Sequence, residues 1–264
     1  MTGMSDPGTD REALTTKLYA TGANLAARAG IYRWQVPPFD LVPWVLGQVD
    51  WTGTERVLDV GCGYGAYLAE LTLRAEASIG VDLSPGMLAE ARGHGVPVAN
   101  ADSQALPFPA GTFDVVLAAH MLYHLLDVSA GVKELRRVLR PGGAAVAVTN
   151  AADDKPELLD LIDRAAGTSQ GYRKVDTRFL LHPGCELFRQ VFGGARVVDV
   201  RTAMAIPEAQ PVMSYLASIR STAEPALGVD WDAFLQRARR LVIDEIDANG
   251  QFVITTHAGV IVAP

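Results

Sequence analysis

Between residues 56 and 149, short apolar runs alternate with amphipathic stretches. Arg56–Val60, Ser78–Val81, Val96–Ala99, Phe113–Ala118 and Ala144–Thr149 are brief, apolar and rich in β-branched residues, as buried strands are. The intervening segments Gly65–Arg74, Pro85–Arg92 and Val132–Leu139 carry helical spacing, and Ser84 followed by Pro85 makes a helix start. Pro141-Gly142-Gly143 supplies a tight exit into the fifth strand. Strand and helix in strict alternation predict an α/β fold: a mostly parallel, Rossmann-like sheet with helices on both faces.

The flanks are less regular. Residues 1 to about 12 read as a disordered tail, and Leu14–Trp34 as one or two helices broken near Gly22 and Gly30. Pro37-Pro38 ends that segment, and Phe39–Val49 reads as another short helix. Beyond residue 150, helices are expected at Glu157–Ala166, Arg178–Phe192, 208–220 and 231–248, the last opening at Asp230 and closing at Gly250. Arg196–Val200, extending toward Met204, and Phe252–Val262 read as strands. The expected organisation is N-terminal helices closing over a ligand (1–50), a Rossmann-like core (51–204), a helical cap insertion (205–250) and a last core strand (251–264). A hairpin between two strands needs only about 2–5 residues. This chain instead places two amphipathic helices there, broken by Pro207, Pro211 and Pro225. Met213, Tyr215, Leu216 and Trp231 are expected to face a small acceptor, and a homodimer contact is the other use such helices could have.

The chemistry starts at Arg56-Val57-Leu58-Asp59-Val60-Gly61-Cys62-Gly63-Tyr64-Gly65. Glycines after a strand let the backbone turn sharply and let a ligand approach main-chain N–H groups. The helix that follows adds partial positive charge. The spacing is one residue shorter than the dinucleotide pattern G-x-G-x-x-G, and Asp59 would repel a pyrophosphate but welcome an ammonium group. A cationic nucleotide such as S-adenosylmethionine fits better than NAD. Asp82 lies 21 residues after Gly61, where a ribose-binding acid belongs, with Leu83 and Met87 placed to flank an adenine. Asp102, after the third strand, can accept from an adenine amino group. His120 and His124 stand at the end of the fourth strand; His124 is the candidate base, Tyr123 a lesser candidate, and His120 is expected to line the cofactor.

Composition narrows the classes. The chain has 264 residues, 49% of them hydrophobic and 20% charged, which suits one globular domain with room for an insertion. A net charge of −7 argues against nucleic acid as the main partner. The two cysteines, Cys62 and Cys185, imply no disulfide framework and fit a reducing cytoplasm. No apolar run reaches membrane-spanning length, no signal peptide is visible at the N-terminus, and no His/Cys/Asp cluster has metal-ligand spacing. Heavy use of Ala, Gly, Val and Arg hints at a GC-rich bacterial genome.

Taken as an ordered set, Val57–Gly65, Val81-Asp82-Leu83-Ser84, Ala101-Asp102 with Leu106-Pro107-Phe108, Phe113-Asp114-Val115-Val116 and Leu139-Arg140-Pro141-Gly142-Gly143 resemble the motif series of class I S-adenosylmethionine-dependent methyltransferases. The likeness is to bacterial small-molecule enzymes similar to the ubiquinone/menaquinone-pathway methyltransferases. It implies a seven-stranded sheet whose last strand is antiparallel. It also implies methyl transfer from S-adenosyl-L-methionine to an O- or N-nucleophile of a small molecule. Asp59, Gly61, Cys62 and Gly63 would surround the methionine moiety, Asp82 would hold the ribose, and Ala101, Asp102 and Ser103 the adenine. Tyr19 and Arg28 resemble the N-terminal helix of bacterial relatives, with Arg28 expected on the methionine carboxylate. The readings weighed against this are an NAD(P)-dependent oxidoreductase and a non-catalytic S-adenosylmethionine-binding protein.

Overall fold

The computed structural model describes residues 9–168, 172 and 175–264. Among these, eight strands form one sheet: β1 (Gln35–Val36), β2 (Arg56–Val60), β3 (Ala77–Asp82), β4 (Val98–Asn100), β5 (Phe113–Ala119), β6 (Leu139–Asn150), β7 (Arg196–Ile206) and β8 (Phe252–Ala263). Their order is β1-β7-β8-β6-β5-β2-β3-β4. β2 to β6 pair in parallel, while β8 runs antiparallel to both β6 and β7. The expected seven strands and reversed last strand are present. The eighth is the two-residue β1, which pairs Gln35 with Met204 and Val36 with Ala203; two residues carry no period to read.

The central strands are buried on both faces, which is why β2 and β5 are apolar apart from Arg56, Asp59 and Asp114. The described helices are α1 (Arg11–Ala13), α2 (Ala23–Ala29), α3 (Leu41–Leu46), α4 (Ala66–Leu71), α5 (Pro85–Ala91), α6 (Val128–Val138), α7 (Pro156–Ala166), α8 (Leu181–Phe192), α9 (Ala209–Ser218), α10 (Arg220–Leu227) and α11 (Trp231–Asn249). The side chains of Ser84, Asp127 and Asp230 cap α5, α6 and α11 by accepting from Met87, Ala130 and Ala233 N–H at 3.2, 2.9 and 3.0 Å. Asp127 sets the start of α6 four residues earlier than the apolar spacing at Val132 suggests. α10 was not expected, because Pro225 lies inside it.

Two expectations are corrected. Residues 9–12 are not a free tail: Thr9 is buried, Asp10 caps α1, and Arg11 ion-pairs with Asp102. Residues 1–8 lie outside the described residues. In the 205–250 segment, Met213, Leu216 and Trp231 do not face an open pocket. They pack with Leu158, Ile162, Met204, Phe234 and Ile254 in a core of their own between α7, α9, α11 and the ends of β7 and β8.

Candidate active site

A cavity of about 620 Å³ opens at the carboxyl ends of β2 to β6, where open α/β sheets bind their ligands. All fifteen residues expected at the site line it: Tyr19, Arg28, Asp59, Gly61, Cys62, Gly63, Asp82, Leu83, Met87, Ala101, Asp102, Ser103, His120, Tyr123 and His124. The strand ends bring Asp59, Asp82, Asp102 and His120 to one cavity, and the N-terminal segment adds Tyr19 and Arg28.

The glycine turn is fastened before any ligand arrives. Gly61 and Cys62 N–H donate to Val81 O at 2.7 and 3.0 Å, and Gly63 N–H donates to Asp82 Oδ2 at 2.9 Å. Gly63 sits at φ 55°, and a Cβ there would meet nothing closer than a Leu25 methyl at 3.8 Å. Positive φ, rather than crowding, is what requires glycine there. Asp82 Oδ1 accepts from Ser84 N–H at 2.8 Å. Burial pushes its carboxyl pKa up, against the pull of those backbone donors. Each of its oxygens keeps a lone pair for a hydroxyl.

Asp59 is different. It is 1% exposed, and its Oδ2 has no hydrogen-bond partner. Burial first, and the charge of Asp82 second, raise its pKa from 3.8 to about 8. Cys62 is buried beside it, with its thiol pushed up by the same loss of solvent and by both acids.

The N-terminal segment is clamped across the mouth. Ser84 Oγ donates to Tyr19 O at 2.7 Å, and Gly22 N–H to Glu90 Oε1 at 2.7 Å. A Cβ on Gly86 would stand 1.9 Å from Ala20 O, so only glycine lets this backbone approach α5. The clamp sets Tyr19 Oη 2.9 Å from His124 Nε2, with the rings edge to face at 5.3 Å. The Arg28 guanidinium lies 5.2 Å from the Tyr19 ring centroid, its Nε donating to Asn24 O at 3.3 Å and its Nη2 without a partner. Burial works against its charge, and the phenols of Tyr19, Tyr123 and Tyr215 more than offset it, leaving the pKa raised. Asp102 Oδ1 accepts from Gln104 N–H at 2.9 Å, while Oδ2 pairs with Arg11. His120 takes φ 53°, its N–H bound to Val148 O at 2.9 Å.

Comparison with known proteins agrees with this geometry. Residues 58–147 match the family described as "Methyltransferase domain". Over that span the chain carries a methyltransferase domain. A demethylmenaquinone methyltransferase of Corynebacterium kroppenstedtii is 38% identical over 89 residues, 34% of this chain and 39% of that protein. The ubiquinone/menaquinone biosynthesis C-methyltransferase UbiE of Geobacter sulfurreducens is 39% identical over 37% of this chain and 43% of its own. The similarity thus spans about two fifths of these relatives' length. Among solved structures, YcgJ from Bacillus subtilis aligns with a TM-score of 0.57 at 20% identity, covering 84% of this chain and 96% of its own. The [4+2]-cyclase SpnF aligns at 0.51 and 19%, covering 84% and 79%. At such identities they show the fold.

Outside the methyltransferase domain's own motifs, sequence reasoning missed Tyr32, Asn150, Asp154, Lys155 and Thr256, which line the same cavity. Asp153-Asp154-Lys155 reads as a solvated turn, and only its position at the end of a central strand marks it. Among the described residues, no group of three His, Cys, Asp or Glu is arranged to hold a metal. No described helix is long and apolar enough to cross a membrane.

Proposed function

We propose that this protein is an S-adenosylmethionine-dependent methyltransferase whose acceptor is an oxygen or nitrogen nucleophile of a small molecule. One observation carries the reading. Asp59 Oδ2 and Arg28 Nη2 are partnerless polar atoms of opposite charge type, and both side chains line one cavity. A buried polar atom left without a partner costs on the order of 1–3 kcal/mol. The amino-acid end of S-adenosylmethionine, an ammonium and a carboxylate on one carbon, offers each atom the partner it lacks. A nicotinamide dinucleotide would bring a pyrophosphate toward Asp59 instead.

The cofactor-side roles follow from this. Asp59 takes the ammonium, Gly61, Cys62 and Gly63 surround the methionine chain, and Arg28 with Tyr19 takes the carboxylate. Asp82 holds the ribose hydroxyls, Leu83 and Met87 flank the adenine, Ala101, Asp102 and Ser103 border it, and His120 closes the side. When bound, the cofactor supplies a methyl group already made electrophilic by its sulfonium. The protein's work is alignment and exclusion of water. His124 takes up the acceptor's proton through the hydrogen bond it shares with Tyr19, and Tyr123 packs on the imidazole at 4.6 Å. The segment 205–250 serves as the acceptor wall through Tyr215, Ile219 and Thr222, which line the cavity.

Binding of S-adenosylhomocysteine, measured by calorimetry beside NADH, tests the cofactor. Transfer of isotopically labelled methyl into a metabolite pool tests the reaction. Stabilisation by NADH and not by S-adenosylhomocysteine would overturn the reading. Binding with no label transferred would leave a non-catalytic binding protein.

A further inference from the structure

The loop that leaves β6 brings a buried ammonium to the cavity. Lys155 stands at the N-cap of α7 in a left-handed backbone, φ 59° and ψ 50°, a conformation that disfavours a long side chain. It is 4% exposed and lines the cavity. Its Nζ lies 2.5 Å from Asp154 Oδ2 and 5.5 Å from the Tyr32 ring centroid. Asp154 is itself fixed, its Oδ1 accepting from His257 N–H at 3.0 Å.

A purely structural role accounts for this poorly. A buried ion pair is often no more stabilising than apolar side chains of similar volume. The left-handed backbone adds a cost of its own. An ammonium has three N–H donors. Among the described residues, Nζ has one hydrogen-bond acceptor, Asp154 Oδ2, and one aromatic face, Tyr32. A third donor is left for whatever fills the cavity. The surrounding wall is aromatic and aliphatic, made by Tyr32, Tyr172, Tyr215, Leu158, Ile162 and Ile219, and three aromatic rings there suit a planar partner. Burial raises the Tyr215 phenol, while Lys155 and Arg28 pull it the other way, so this hydroxyl lies within the field of both cations. Burial also works against Lys155's own charge, but Tyr32 and Asp154 outweigh it and keep the ammonium protonated.

We propose that Lys155 and Tyr215 form the acceptor's oxyanion site, which binds a planar acceptor bearing one acidic hydroxyl, a phenol or an enol, and holds that oxygen in its anionic form. This rests on the methyltransferase reading, in which Arg28 is taken by the methionine carboxylate, Arg11 is held on Asp102, and Lys155 is left for the acceptor. One ammonium hydrogen and one phenol suit a single oxygen. A carboxylate brings two, and Asp154 already supplies a carboxylate to this ammonium.

The probe is 4-nitrophenol, whose phenolate absorbs visible light, titrated on the full chain with and without saturating S-adenosylhomocysteine. The bound probe should ionise about one pH unit below the free probe, an about tenfold enrichment of phenolate between the two midpoints, as expected for an acid brought beside a cation. Lys155→Met should return the midpoint to that of free probe while S-adenosylhomocysteine affinity holds. Tyr215→Phe should move it part of the way. If Lys155→Met does not fold, Lys155→Arg and the wild-type titration decide, with the downward shift expected in both. A bound probe that ionises as it does in water, a shift surviving in Lys155→Met, no binding of 4-nitrophenol, or tighter binding of 4-nitrobenzoate would each overturn the proposal. The methyltransferase reading fails separately, by absence of S-adenosylhomocysteine binding, and the titration without that ligand still decides the role of Lys155.

Discussion

Replacing Asp59 by Asn should make the free protein more stable and the liganded protein less so. Asp59 lies buried with an unpartnered oxygen, and its pKa stands at about 8 against an ordinary 3.8. The folded chain therefore holds a proton that the unfolded chain gives up. A folded pKa raised in this way lowers stability as pH climbs from about 4 to about 8, by up to roughly 1.4 kcal/mol per pH unit. By pH 7 the accumulated penalty is bounded near ~4 kcal/mol; water in the adjoining cavity brings it toward ~2 kcal/mol. Asparagine keeps the shape and cannot ionise. At pH 7 to 8, Asp59→Asn should thus gain about 2–4 kcal/mol, or roughly 4–16 °C in melting temperature for a chain of this size. At pH 4 the two proteins should melt nearly together. Scanning calorimetry across pH 4 to 8.5 measures this, and parallel curves for the two proteins would refute the buried-acid argument.

The same side chain makes a second, linked statement. If an ammonium binds there, Asp59 must ionise, so wild-type protein should release a proton on binding S-adenosylhomocysteine near pH 7, and affinity should rise with pH toward 8. Binding heats measured in buffers of different ionisation enthalpy count that proton. Asp59→Asn should show none and bind at least about tenfold more weakly. Equal affinity in a folded variant would remove Asp59 from the ammonium.

Other substitutions separate neighbouring roles. Asp82→Ala should weaken S-adenosylhomocysteine binding by about 1.5–3 kcal/mol, the worth of a charge-assisted hydrogen bond, and calorimetry with unchanged affinity would dismiss the ribose assignment. Arg28→Ala should bind methylthioadenosine, which lacks the amino-acid end, as well as wild type does, but bind S-adenosylhomocysteine poorly; equal loss for both would make Arg28 a packing residue. Leu216→Ala should cost about 2–5 kcal/mol in denaturant unfolding, as a core deletion does, with S-adenosylhomocysteine affinity unchanged.

Legibility in the sequence followed the physics of each element. β2, β5 and the glycine turn were readable because burial on both faces leaves an apolar run, and a sharp turn beside a ligand leaves glycines. Asp59, Asp82 and Asp102 were readable by position, each standing at or just past a strand end. β1 was not, since its two residues are held by pairing with β7, a contact across more than 160 residues. α10 was hidden by Pro225, and the Arg11–Asp102 pair by its separation in sequence. The amphipathic stripes of α9 and α11 showed that Met213, Leu216 and Trp231 are covered, but a stripe does not name what covers it. The answer was α7 and the sheet ends.

Departures from the local rules and the lining of the cavity overlap for a reason. Among the described residues, the non-glycine positions with positive φ are His120 and Lys155, and both line the cavity. Of the six buried side-chain atoms without a hydrogen-bond partner among the described residues, three, Arg28 Nη2, Asp59 Oδ2 and Tyr67 Oη, belong to side chains that line it too. Strained backbone of this kind costs on the order of 1–3 kcal/mol per residue, and an unmet buried polar group a similar amount. Elsewhere the central strands follow the local rules: apolar inside, capped helices, glycine at turns. A chain free to relax would place glycine at residue 155 and an apolar side chain at 59. That it carries an ammonium at one and a carboxyl group at the other, both lining a single cavity, ties both departures to the ligands that cavity takes.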